Sequence, residues 1–184
     1  MSDFVEYSRG LLEASKGLRS QALSLPDGEA KQTFMRAAIL HACSFLEAHL
    51  NYMADHFAGG EMFTLHEQGL LLEREVAFDS GKFTMKTNLK MSRMQDRIDL
   101  LLTKCASDPK AAKKPWNSGL TETLRTRNSL VHPKEVRQLK DEDVVVAITA
   151  VLTAADTLYQ AVFRKGLPYA KKGIEGGLDL SPTL

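Results

Sequence analysis

The chain is poor in cysteine, has a single tryptophan and carries none of the short motifs of the commoner catalytic chemistries. The cysteine spacing and the missing motifs each remove a class of function. Only two cysteines occur in 184 residues. Cys43 and Cys105 stand far apart, outside any CxxC or mixed Cys/His spacing, so neither a zinc site nor a redox pair is expected, and both read as small buried hydrophobes. There is no Gly-rich phosphate loop and no serine nucleophile motif. His41 and His49 lack an HExxH context and any further carboxylate at a ligand spacing, so they read as core or surface histidines, and no metal or cofactor is expected. The amino terminus MSDFVEYSRG has no basic stretch leading into an apolar run, and no segment reads as an apolar span long enough for a bilayer. A cytoplasmic protein without membrane association is the expectation.

What is present is ordinary in total and uneven in arrangement. With 43% hydrophobic and 26% charged residues the chain is neither disordered nor fibrous, and its length suits one domain with its own core. The net charge of +1 hides a basic middle. From Lys82 to Lys140 there are 14 Lys and Arg against 5 Asp and Glu, a local balance of +9, while the remainder carries −8. Clustered cations of this kind suit a phosphate backbone, because binding releases its condensed counterions. On charge alone, a solvated surface facing acidic neighbours in the same molecule stands equally with that reading.

Apolar residues recur at helical rather than strand spacing through most of the chain, which predicts an all-α bundle of about five to six helices. A first helix is expected over about 3–25, broken by Pro26-Asp27-Gly28, with Asp27 as a candidate cap for the second. That second helix, to about Phe57, carries Phe34, Ala38, Ala42, Phe45, Leu46, His49, Leu50 and Met53 at helical steps. A shorter helix is expected in TLHEQGLLLEREVAF, then a loop over 82–88, a helix through Leu89–Cys105, and a basic loop holding Lys110, Lys113 and Lys114. WNSGLTETLRTRNSLV reads as the next helix, with Leu120, Leu124 and Val131 on one side, and its end falls near His132, because Pro133 disfavours helical backbone before it. A last helix spans about 141–163. Residues 1–165 are expected to form the domain and 166–184 an irregular tail.

Arg125 to Pro133, RTRNSLVHP, places a guanidinium, a carboxamide and an imidazole within six positions. On a helix Asn128 and His132 share a face one turn apart, with Arg127 about 100° round from Asn128. A bend at Pro133 would let the three converge. Arg can grip a phosphate with two parallel hydrogen bonds, and imidazoles titrate near neutrality, so the set suits phosphodiester chemistry without a metal. The alternative is structural: Arg127 caps its helix, His132 bonds a backbone carbonyl, and Asn128 merely ends the helix. Glu47 and Asn51, four apart beside the apolar stripe of the second helix, face either an interior partner such as Arg127 or solvent. Trp116 and Phe83 flank the basic segment, where they either stack on bases or pack in the core.

At these residues the chain resembles the HEPN superfamily, whose mark is an Arg, four to six residues, then a His, often with a polar residue directly after the Arg. Arg127-Asn128-Ser129-Leu130-Val131-His132 fits at the four-residue spacing, and Phe45, Leu46, Glu47 and Asn51 resemble the family's aromatic-Leu-Glu…Asn helix. The likeness covers roughly Thr33 to Phe163. It implies a metal-independent endoribonuclease that leaves a 2′,3′-cyclic phosphate, with its site formed across a symmetric homodimer. Arg127, His132 and Asn128 would form the catalytic set, with Asn128 and Glu47 orienting the other two and Glu47 and Asn51 in support. RNA would be held by Lys110, Lys113, Lys114, Arg125, Lys134 and Arg137. Many such proteins are toxins or anti-phage effectors with an antitoxin or defence-system partner, and others have lost catalysis and serve as binding modules.

Overall fold

The computed structural model describes residues 2–174. The chain runs through α1 (Ser2–Leu23), α2 (Glu29–His56), α3 (Leu65–Leu71), β1 (Arg74–Asp79), β2 (Lys82–Leu89), α4 (Met94–Cys105), α5 (Pro109–Lys113), α6 (Asn117–Val131), α7 (Asp141–Phe163) and a 3-10 turn at Ala170–Lys172. The fold is helical as expected, with seven α-helices rather than five or six among the described residues, and it includes a small sheet.

α2 is the spine because its apolar stripe is wide enough to meet neighbours on several sides. Ala38, Ala42, Phe45, Leu46, Leu50 and Met53 are buried along it, between α1 on one flank and α6 and α7 on the others. Asp27 does not cap this helix. Gly28 occupies the N-cap, and the Asp27 carboxylate accepts instead from Lys31 Nζ at 2.8 Å. Arg19 ties α1 to the start of α7 through two bonds of 2.6 Å to Asp141.

α7 corrects one expectation: by length and composition it is apolar enough to cross a membrane, where the linear pattern suggested no such segment. In the fold that surface is used internally, with Val144, Ile148, Val151, Ala155 and Leu158 buried. Small residues allow α6 to approach closely, since a Cβ at Gly119 would stand 3.2 Å from the Ala150 Cβ. On α6 the inward face carries Leu120, Thr123 and Thr126, while Val131, expected among the apolar contacts, is exposed.

The sheet is the second departure. The helix begun at Thr64, whose hydroxyl and Glu67 form a reciprocal cap, stops at Leu71 instead of running on to Phe78. Glu73 takes a left-handed φ of 53° and redirects the chain into β1. Ser80 and Gly81 have φ of 51° and 84°, the two consecutive positive values of a type I′ hairpin turn, so 82–88 pairs as β2 rather than forming a loop. The hairpin seats on α3 where Gly69 leaves room: a Cβ there would fall 2.6 Å from Val76 Cγ2. The basic loop after Cys105 contains the short helix α5, capped by Asp108.

Beyond α7 the packed unit continues past residue 165. Leu167 and Tyr169 are buried, and Tyr169 joins Ser8 and His49 in a buried hydrogen-bond chain. The rest of the expected tail, 175–184, lies outside the described residues.

Candidate functional site

α2, α4 and α6 converge beside the base of the hairpin on a cleft of about 350 Å³. Glu47 comes from α2, Glu73 from the turn before β1, Arg93 and Arg97 from the start of α4, and Arg127 and Asn128 from α6. Met91, Met94 and Leu124 supply its apolar wall. Three guanidiniums against two carboxylates leave the cleft net positive, with an opening to solvent through exposed Arg93 and Asn128.

Arg97 was not singled out by sequence reasoning. It is 2% exposed, a buried cation on the inward stripe Met94–Arg97–Ile98–Leu101 of α4. Its Nη2 donates to Asn51 Oδ1 at 2.7 Å and its Nη1 lies 3.4 Å from Glu73, while Nε has no hydrogen-bond partner among the described residues. Burial pulls its pKa below the ordinary arginine value, opposed by the negative charges of Glu73, Glu47 and Asp55. The available signal was an arginine where the helical stripe calls for an aliphatic residue, since an isolated buried cation requires partners.

Arg127 is half-buried and lies against the cleft, where its Nη1 donates to Asn128 Oδ1 at 3.2 Å. It forms no ion pair with Glu47 among the described residues. Asn51, expected to support the site with Glu47, is held by Arg97. Glu47 and Arg127 nevertheless both act on Cys43: burial pushes that thiol up to about 12, Arg127 pulls against it and Glu47 adds to it. Cys43 is therefore an un-ionised core thiol at neutral pH, as its buried position requires.

His132 closes α6 as its C-cap, with its backbone N–H on the Asn128 carbonyl at 2.9 Å and backbone angles of −125° and 67°. Its side chain is exposed and does not line the cleft. One copy of the chain thus brings Arg127 and Asn128 together and leaves His132 outside the cleft, four residues beyond Asn128 at the end of α6. Neither Arg127 nor His132 is buried in the apolar core.

The expected RNA-binding cations divide by their commitments. Lys113 pairs with Asp99, Arg125 with Glu122, and Arg137 with both Glu122 and Asp143. Lys110, Lys114 and Lys134 are exposed and have no carboxylate partner among the described residues. Lys134 and Arg137 border a second depression of about 430 Å³ beside Arg36. Trp116 is core, 2% exposed, with its indole N–H on Thr157 Oγ1 at 3.2 Å, whereas Phe83 is 54% exposed on the hairpin. Among the described residues no group of three His, Cys, Asp or Glu side chains is placed to hold a metal ion.

No protein-family model matches the chain, and no curated protein or solved structure is significantly similar to it. A functional reading therefore stands on the cleft and on the Arg127–His132 segment themselves.

Proposed function

We propose that the protein is a metal-independent endoribonuclease of HEPN type, acting as a two-fold homodimer. The observation that carries this reading is the Arg127–Asn128 pair, hydrogen-bonded at 3.2 Å in a net positive cleft with an exposed histidine one turn further on. In the proposed reaction the ribose 2′-oxygen attacks the adjacent phosphorus, the bond to the 5′-oxygen breaks, and a 2′,3′-cyclic phosphate remains. The 2′-hydroxyl loses one proton and the leaving 5′-oxygen gains one. His132 performs one of these transfers, which acid–base assistance of this kind accelerates by roughly 10²- to 10⁴-fold. Arg127 meets the charge that builds on the phosphoryl oxygens, with Asn128 fixing the guanidinium plane. A second copy placed across a two-fold axis presents its His132 to the first copy's cleft, which completes a site that one copy leaves open. An antitoxin or defence-system partner would control such an activity by covering the same cleft.

A second reading is favoured by one observation, the position of His132 outside the cleft in a single copy. On it the protein is a non-catalytic helical module that binds RNA, a nucleotide or a partner protein through the arginine-lined surface. Incubation of the purified chain with mixed RNA in EDTA, beside His132→Ala, separates the two. The nuclease reading requires cyclic-phosphate ends from wild type and almost none from the variant. RNA that stays intact with both proteins leaves the binding module.

A further inference from the structure

The β1–β2 hairpin combines three features that the helical body does not explain. The first is its aromatic tip. Phe78 and Phe83 are directly paired across the strands, with ring centroids 5.2 Å apart, yet they are 66% and 54% exposed. The period of a strand puts them on one face with Val76 and Met85. Val76 packs on Gly69 of α3, while the other ring against Phe83 is that of exposed His66. The hairpin is thus anchored near its base and presents its tip to solvent, where a pair of large apolar side chains left exposed side by side marks a contact site.

The second is its charge. Each acidic residue of the hairpin is already engaged within the protein: Asp79 by Lys86 at 2.7 Å, Glu75 by Asn88 at 3.2 Å, and Glu73 by Arg97 and the Ser92 N–H. Arg74, Lys82, Lys90 and Arg93 are all exposed, and none pairs with a carboxylate among the described residues. Four uncommitted cations therefore border the aromatic pair and the strand base. A protein partner would have to desolvate these charges or supply matching acids, whereas a polyanion meets them as they stand.

The third is continuity. β2 leads from Phe83 to exposed Leu89 over about 20 Å at the usual strand rise, and the next residues, Met91 and Arg93, line the cleft that holds Arg127. Tip, base and cleft lining thus follow one another along residues 83–93.

We propose that this hairpin is a finger for unpaired RNA, in which Phe78 and Phe83 stack on bases while Lys82, Arg74, Lys90 and Arg93 follow the phosphates toward the cleft. The inference rests on the RNA reading above and gives its substrate class as single-stranded RNA. Stacking needs a free base face, which a duplex hides, and A-form RNA offers side chains no readable major groove.

The test uses the full chain and a fluorescein-labelled 2′-O-methyl oligouridine, which the proposed nuclease cannot cleave, with an RNA duplex as the second probe. Anisotropy titrations at low and moderate salt compare wild type with Phe78→Ala/Phe83→Ala and with Lys82→Ala/Lys90→Ala. Both variants alter exposed side chains, and circular dichroism checks that they remain folded. The aromatic variant should lose at least about tenfold in affinity for the single strand with an unchanged salt slope, because stacking releases no counterions. The lysine variant should bind more weakly with a shallower slope. Duplex affinity should not respond to loss of the phenylalanines. Single-strand binding that ignores both rings overturns the finger, and if that variant still cleaves RNA, the nuclease reading survives without it. Hairpin-dependent binding by a wild type that never cleaves leaves the finger standing and removes the nuclease. A variant that changes from dimer to monomer in light scattering, with RNA affinity unaltered, shows instead that the rings seat a second copy.

Discussion

Arg97 and Asn51, 46 positions apart in sequence, meet at 2.7 Å between α4 and α2, and that bond ties a buried cation lining the cleft to the central helix. Glu73 shares the same guanidinium from the start of the hairpin. Asn51 is exposed and Glu73 only partly buried, so loss of Arg97 leaves no fully buried charge behind and forfeits about 1.5–3 kcal/mol, the usual worth of a hydrogen bond to a charged group. Arg97→Ala should therefore lower stability by roughly that amount, and Arg97→Lys by less, because an ammonium keeps the charge without the planar fork. Urea denaturation midpoints that match wild type would show that the bond carries no structural weight.

Arg127 and His132 are expected to fail in different ways. His132→Ala should reduce RNA cleavage by roughly 10²- to 10⁴-fold and leave RNA affinity nearly intact, since the proton moves only in the reaction. Arg127→Ala should lose both rate and some affinity, because its charge meets the phosphate in ground and transition states alike. Arg127→Lys should restore the affinity better than the rate. Single-turnover cleavage beside a binding titration measures the two quantities, and a His132→Ala protein with undiminished turnover would contradict the proposed chemistry.

His49 gives the fold a defined response to acid. Buried among Phe4, Phe45 and Tyr159, with Nε2 on the Tyr169 hydroxyl at 2.9 Å, its pKa is lowered by burial from 6.5 to about 4. The unfolded chain takes up this proton first, so the contribution of neutral His49 is complete above about pH 6.5 and is lost as the pH falls toward 4. The loss amounts to about 3 kcal/mol at most. Denaturation curves at pH 7 and pH 4.5 should show a smaller decline for His49→Gln, which keeps a polar contact without titrating. Identical declines would mean that other groups govern the acid response.

Gly69→Ala tests the seat of the hairpin. The new Cβ would lie 2.6 Å from Val76 Cγ2 and 3.0 Å from the Arg74 carbonyl oxygen, so the hairpin must shift. Overpacking of this sort costs about 1–3 kcal/mol. The variant should be cut faster within 74–89 by a non-specific protease, and adding Val76→Ala should recover part of the protection. Wild-type cleavage kinetics in the single variant would show that the contact yields without cost.

The helices were legible because their cause is local. α2 and α7 carry long apolar stripes at helical spacing, and His132-Pro133 marks the end of α6 through a clash between neighbouring residues. The hairpin was not legible in the same way. Leu70, Leu71 and Leu72 continue a helical pattern into Glu73, and only the left-handed backbone at Glu73 and the Ser80-Gly81 turn convert the segment 74–89 into strands. That choice depends on pairing across the turn and on the space at Gly69, neither of which a linear pattern contains.

For the cleft, residue order alone sets Arg127, Asn128 and His132 at neighbouring positions near the end of one helix, since helical geometry is fixed by a few residues. Packing in three dimensions sets the rest: Arg127 and Asn128 line the cleft with Glu47, Arg93 and Arg97 while His132 stays outside it, and Asn51 answers to Arg97. The reason is physical: a buried charge is matched by whatever partners three packed helices bring within hydrogen-bond reach, and that depends on how α2, α4 and α6 cross, which side-chain spacing along any one of them does not encode.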